Sequence, residues 1–111
     1  SYTIRFKVEE ELPEDEVVEA ISSLSGVTLE QETPKRVSHR RAAKTRKRKV
    51  TSISDVTVEG NEVQFSLRCE AGTYVKELVH SDEGRTTPSV QSVLGTDCEV
   101  IWLDVLEIHS E

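Results

Sequence analysis

The fold turns on residues 50–69, "VTSISDVTVEGNEVQFSLRC". Its two arms, Val50 to Val58 and Glu62 to Cys69, are rich in residues that suit a pleated, half-buried surface. Gly60-Asn61 between them is a hairpin turn signal. In the second arm Val63, Phe65, Leu67 and Cys69 recur at every second residue, the period that turns strand side chains to one face. An antiparallel pair with one apolar face needs cover, and the flanking sequence offers it.

Toward the N-terminus, "SYTIRFKV" (1–8) alternates in the same way. Tyr2, Ile4, Phe6 and Val8 share a face, and Thr3, Arg5 and Lys7 take the other, which predicts a half-buried strand. "LPEDEVVEAISSLSG" (12–26) predicts a helix with Pro13 at its first position, Glu14, Asp15 and Glu16 at its positive end, and Gly26 as its stop. Val17, Ala20, Ile21 and Leu24 form its core stripe. "VTLEQET" (27–33) predicts a second strand leading through Pro34.

Toward the C-terminus, "AGTYVKELVH" (71–80) reads as a short helix opening near Thr73, with Val75, Leu78 and Val79 as its buried side. Lys76 then falls in the first turn, where the helix dipole disfavours a cation. It is either solvated or meant to meet an anion. "TTPSVQSVLG" (86–95) carries Thr87 as cap, Pro88 in the first turn and Gly95 at the end. "CEVIWLDVLEIH" (98–109) is almost continuously apolar and predicts a central strand covered on both faces. Together these elements predict an α+β domain: a mixed, largely antiparallel sheet with two or three short helices.

A chain of 111 residues is one domain or part of one. At this size folding removes only about 60–70% of the unfolded chain's accessible surface. No apolar run is long enough to span a bilayer and no signal-peptide pattern opens the chain, so no membrane is expected and the expected location is the cytoplasm. The chain starts within a strand and lacks an initiator methionine, so it reads as a piece of a longer parent. Cys69 and Cys98 fit no metal-ligand spacing and read as small buried hydrophobes. His39, His80 and His109 have no ligand spacing either, so no metal site is expected.

The net charge of −7 conceals a segregation. "KRVSHRRAAKTRKRK" (35–49) holds nine of the 14 Lys/Arg and no acid, leaving five bases against all 21 acids elsewhere, a net −16. Clustered bases attract polyanions and give salt-dependent binding. The bland reading is a disordered basic linker. Val37, Ala42, Ala43 and Val50 interrupt the charge, and strands lie on both sides, which favours an ordered or part-ordered RNA-contacting loop.

"GTYVKEL" followed by "LGTDCEVIWLDVLEI" resembles the closing part of the pseudouridine synthase catalytic domain, where a GTY-aliphatic-Arg/Lys motif precedes a helix and a later segment reads Val-Ile-aromatic-Leu. With "TPKRVSHRRA" and "AGTYVKELVHSDEGRTTPSVQSVLG", the chain is most similar to the tenth pseudouridine synthase family, archaeal and eukaryotic enzymes that modify tRNA. The resemblance implies that residues 1–111 are the C-terminal portion of such a catalytic domain. It also implies isomerisation of uridines in the tRNA T-loop without cofactor or metal, and two partners: tRNA and the upstream half of the same domain.

Site roles follow from the resemblance one position at a time. Lys76 would form an ion pair with the catalytic aspartate, Tyr2 would stack on the flipped uracil and take part in proton transfer, and Leu103 would line the uracil pocket. The basic residues Lys35, Arg36, His39, Arg40, Arg41, Lys44, Arg46, Lys47, Arg48 and Lys49 would hold the RNA backbone, which positions RNA without reading bases. The family's aspartate motif has no counterpart in this chain, so the fragment is expected to be inactive alone. Asp82, Asp97 and Asp104 are candidates by residue type only, and Asp104, one past Leu103 on a strand, should point to the opposite face. Without the resemblance, Tyr2 reads as a core aromatic with its hydroxyl satisfied at the edge, Leu103 as core and Lys76 as a solvated cation. Two other readings stay open: a non-catalytic RNA-binding module, and a protein–protein module using the acidic body.

Overall fold

The computed structural model describes residues 1–37 and 44–105. In chain order the elements are β1 (Tyr2–Val8), α1 (Glu14–Ser22), β2 (Thr28–Glu32), a 3-10 turn (Lys35–Val37), β3 (Thr45–Glu59), β4 (Glu62–Cys69), α2 (Val75–His80), β5 (Thr86–Thr87), α3 (Val90–Leu94) and β6 (Cys98–Val105). The strands make one sheet in the order β5-β2-β3-β4-β1-β6. Every pairing of the described strands is antiparallel, so the α+β expectation holds.

The β3–β4 hairpin closes where the sequence puts it. Val58 faces Val63 and Glu59 faces Glu62, and Gly60 takes φ +62°, the left-handed conformation a tight hairpin requires. The helices cover one face of the sheet. Ile4, Phe6 and Val8 of β1 and Val63, Phe65 and Leu67 of β4 are buried there beneath Val17 and Ile21 of α1, Leu78 and Val79 of α2, and Val90 of α3. Phe6 and Phe65 meet edge to face at 6.1 Å. Each such side chain contributes about 1.5–3 kcal/mol by leaving water. The other face is polar: Arg5 donates to Glu62 at 2.7 Å and Gln64 at 3.1 Å, and Thr3 meets Ser66 at 3.1 Å.

Four sequence expectations are corrected. β6 is not central but forms the sheet's edge beyond β1, with Ile101, Trp102 and Val105 at 46%, 36% and 55% exposure. A register shift between Arg5 and Phe6 leaves Ile101 as an extra residue in β6 and breaks its alternation. The apolar run thus records a demand for cover that the described residues do not meet. The basic segment is not one loop: Thr45 to Lys49 pair with β2 as the first third of β3. Ser89, not Thr87, caps α3, because Thr87 is engaged with Glu30 in the sheet while Ser89 and Ser92 form a reciprocal capping box. Helix α1 ends at Ser22, before Gly26, since Leu24 and Ser25 turn back through short-range hydrogen bonds to Ile21 and Ser22.

Candidate functional site

Helix α2 is six residues long and has no side-chain cap at its start. Its entrance is held instead by a neighbouring strand. The buried Gln31 of β2 donates from Nε2 to the Tyr74 carbonyl at 2.9 Å and accepts the Tyr74 N–H at 3.0 Å. A carboxamide that bonds both groups of one residue mimics a strand partner, so Tyr74 stays extended before the helix begins. Just upstream, Gly72 has φ +84° and lies against Arg48, whose Nε would sit 3.4 Å from an added Cβ. The backbone angle calls for glycine, while the guanidinium is at ordinary contact distance.

Between α2 and β6 runs an open groove of about 520 Å³. Lys76 and His80 line it from the helix, and Val100, Leu103 and Val105 are among its residues on the strand. Lys76 is exposed, and among the described residues it makes no ion pair. Leu103 is half-buried and faces Ile4; Tyr2, also half-buried, faces Val105. Tyr2 and Leu103 are therefore diagonal neighbours on the helix-covered face. The structure brings Lys76 and Leu103 to one groove, with Tyr2 one pair further along β1 and outside its lining.

Among the described residues no aspartate lines this groove. Asp104 faces Thr3 on the opposite side of the sheet, as its spacing from Leu103 predicts. Asp82 accepts the Lys35 N–H at 2.8 Å, and Asp97 is exposed in the turn before β6. Cys98, at the groove's end, is buried and not in a disulfide. Burial, helped by the nearby Asp97 charge, pushes its thiol up to about 12, and Cys69 is also raised by burial. Both behave as apolar fillers.

The basic segment is split by strand alternation. Arg46 and Arg48 face Gln31 and Leu29 on the helix side, whereas Lys47 and Lys49 face Glu30 and Thr28 on the other. Arg46 donates to Thr33 at 3.1 Å. Arg48 donates to the Lys47 carbonyl at 2.8 Å, while its buried Nε has no partner among the described residues. Lys44 is exposed and gives its N–H to Thr33 at 3.1 Å. At the segment's start, Arg36 grips Glu77 of α2, with Nε 3.0 Å and Nη2 2.9 Å from Oε1, and its guanidinium lies 5.9 Å from the Tyr74 ring centre. Lys35 reaches Glu83 at 3.9 Å. His39, Arg40 and Arg41 lie outside the described residues.

Sequence reasoning missed Gln31 and Glu77. Neither was given a role from the sequence, yet Gln31 is fully buried and Glu77 is 1% exposed. For Glu77 a signal existed: Val75, Leu78 and Val79 enclose it on a short helix, leaving mainly Lys76 to point outward.

The fold is shared with chains of known structures. A chain of a Cbf5-Nop10-Gar1 complex matches with a TM-score of 0.72 and 27% identity, over 92% of this chain and 28% of that one. A chain of an H/ACA RNP bound to a substrate RNA containing 2'-deoxyuridine has the same fold, with a TM-score of 0.63 and 24% identity over 92% and 26%. Residues 1–109 match the family described as Pus10, C-terminal, and the chain belongs to that family. Similar proteins include the tRNA pseudouridine synthase Pus10 of Methanocaldococcus jannaschii, 38% identical over 98% of this chain and 24% of the relative. That of Methanothrix thermoacetophila is 44% identical over 86% and 21%. The chain thus spans about a quarter of the length of the curated relatives it matches.

Proposed function

We propose that residues 1–111 are the C-terminal portion of the catalytic domain of a tRNA pseudouridine synthase that isomerises uridine in the tRNA T-loop. The observation that carries this is Lys76, without an ion pair among the described residues, on the rim of a groove walled by Leu103, in a chain of this family. The isomerisation breaks the N1–C1′ bond and forms C5–C1′, with the C5 proton lost and N1 gaining one. A carboxylate is the nucleophile that separates base from sugar, and the base must be flipped out to reach it. That aspartate is supplied by the rest of the longer protein and meets Lys76, which holds it ionised and oriented. Leu103 gives the uracil an apolar wall, and Tyr2 stacks on it from the neighbouring strand.

The same reading assigns the other partners. Lys35, His39, Arg40, Arg41, Lys44, Arg46, Lys47, Arg48 and Lys49 serve the tRNA backbone, whereas Arg36, expected from the sequence to join them, is engaged by Glu77, and the site works without metal or cofactor. The upstream half of the domain adds to β6, whose edge position and exposed Ile101, Trp102 and Val105 form an unfinished surface. No helix among the described residues is long and apolar enough to cross a membrane, and the proposed location is the cytoplasm, where tRNA is met.

The test is Lys76→Ala in the full-length protein. Turnover should fall about a hundredfold or more, the scale of a lost electrostatic contact at a reacting centre, with tRNA affinity nearly intact. Near-normal turnover would refute the ion pair. A parent with no aspartate-bearing loop upstream would point instead to a non-catalytic RNA-binding module.

A further inference from the structure

Glu77 is the anomaly of α2: a carboxylate 1% exposed, on a helix whose other buried residues are apolar. Its neighbour in sequence is the outward-facing Lys76, yet its ion-pair partner is Arg36, 41 positions away. The contact is a fork, with Arg36 Nε shared between Oε1 at 3.0 Å and Oε2 at 3.2 Å while Nη2 reaches Oε1 at 2.9 Å. Hydrogen bonding to Glu77 raises the Arg36 pKa further. A buried charge is stable only when paired and hydrogen-bonded, and breaking such a pair from one side leaves an uncompensated charge.

Arg36 is thereby occupied. Its guanidinium serves Glu77 and also lies over the Tyr74 ring, 5.9 Å from the centre, which suits a cation against an aromatic face. The adjoining Lys35 N–H is bound by Asp82, just past the end of α2. The start of the basic segment is thus fastened to both ends of the helix that carries Lys76, beside the turn that Gln31 holds from below.

We infer that Arg36 and Glu77 form a positioning latch. Arg36 acts by fixing α2, and with it the direction of Lys76, to the RNA-gripping segment, and it makes little direct contribution to phosphate binding. Phosphate contacts fall to the neighbouring bases, and their engagement is transmitted to Lys76 through the fork. This rests on the proposed function, since Lys76 is the group being positioned.

The experiment uses the full-length protein, an in vitro transcribed tRNA, single-turnover rates, and the salt dependence of tRNA binding. Glu77→Gln, Arg36→Gln and the double variant are compared. Each single substitution should slow pseudouridine formation about tenfold, as expected for a misplaced reacting group. The double variant should be no slower than the slower single one, because both act through one contact. Arg36→Gln should leave the salt slope unchanged, and Arg36→Lys should fail to restore the rate, since an ammonium cannot reproduce the fork.

Additive rate losses, or Arg36→Gln flattening the salt slope by a full phosphate contact at normal rate, would overturn the latch. So would lower melting temperatures with unchanged rates, which would make the pair merely structural. If the wild-type protein forms no pseudouridine, the reading of function fails. The latch is then judged by hydrogen exchange in Val75 to His80: equal acceleration in both single variants supports it, and unchanged exchange rejects it.

Discussion

At Gly72 the backbone alone calls for glycine. Its φ of +84° is one that side chains rarely adopt, while Arg48 Nε would lie 3.4 Å from an added Cβ, an ordinary contact. Gly84 has a similar φ of +87° but open space around it. Replacing either with alanine should cost about 1–3 kcal/mol in urea unfolding, the strain of a non-glycine residue in that region. Because an added Cβ at Gly72 would meet Arg48 only at ordinary contact distance, both variants should leave tRNA affinity unchanged. Weaker binding by either one would tie its turn to the RNA surface. Lys76 differs from both: its substitution removes no packing, so its effect belongs in the chemistry.

At the scale of elements, β3 divides the basic residues by parity. Arg46 and Arg48 stand on the side of α2, next to Gln31 and Leu29, while Lys47 stands across from Glu30. A carboxylate directly opposite a lysine offsets part of its attraction for phosphate. Replacing Arg46 and Arg48 with glutamine should therefore flatten the salt dependence of tRNA binding more than replacing Lys47 and Lys49. Each lost phosphate contact reduces the slope by about 0.7–0.9. The opposite ranking would place the RNA on the other face of the sheet.

Much of this was legible in the sequence, and what was not has physical reasons. The alternation of Tyr2 to Val8 and Val63 to Cys69 appears as written because one face is buried and the other is wet. The Gly60-Asn61 turn appears because only certain residues fit it. The position of β6 was not legible: an apolar strand at an edge awaiting cover and one in a sheet's centre have the same sequence pattern. The strand at Thr45 to Lys49 was hidden because its charge resembles a solvated run, although bases suit a strand paired with Glu30 and Glu32. Motifs singled out Lys76 and Leu103, which the structure brings to one groove, while Glu77 and Gln31 were missed because burial of a polar residue depends on a distant partner.

At the scale of the molecule, two features show where further contacts belong. The bases of residues 35–49 stand against a net −16 in the rest of the sequence, so the approach of a polyanion is directed to one region. The open edge of β6, with Trp102 exposed, suits pairing with another part of a longer protein. Hydrogen exchange of Cys98 to Val105 should be slower in the full-length protein than in residues 1–111 alone. Equal rates would show that the rest of the protein does not dock on β6.

The most direct measurement is pseudouridine formation in the tRNA T-loop by the full-length protein, wild type beside Lys76→Ala, with tRNA binding measured in parallel. The expected result is modification by the wild type, a loss of about a hundredfold or more in the variant, and similar affinity in both. Near-equal rates for the two proteins, or no product from a folded wild type that binds tRNA, would contradict the assignment of Lys76 and its groove to the isomerisation.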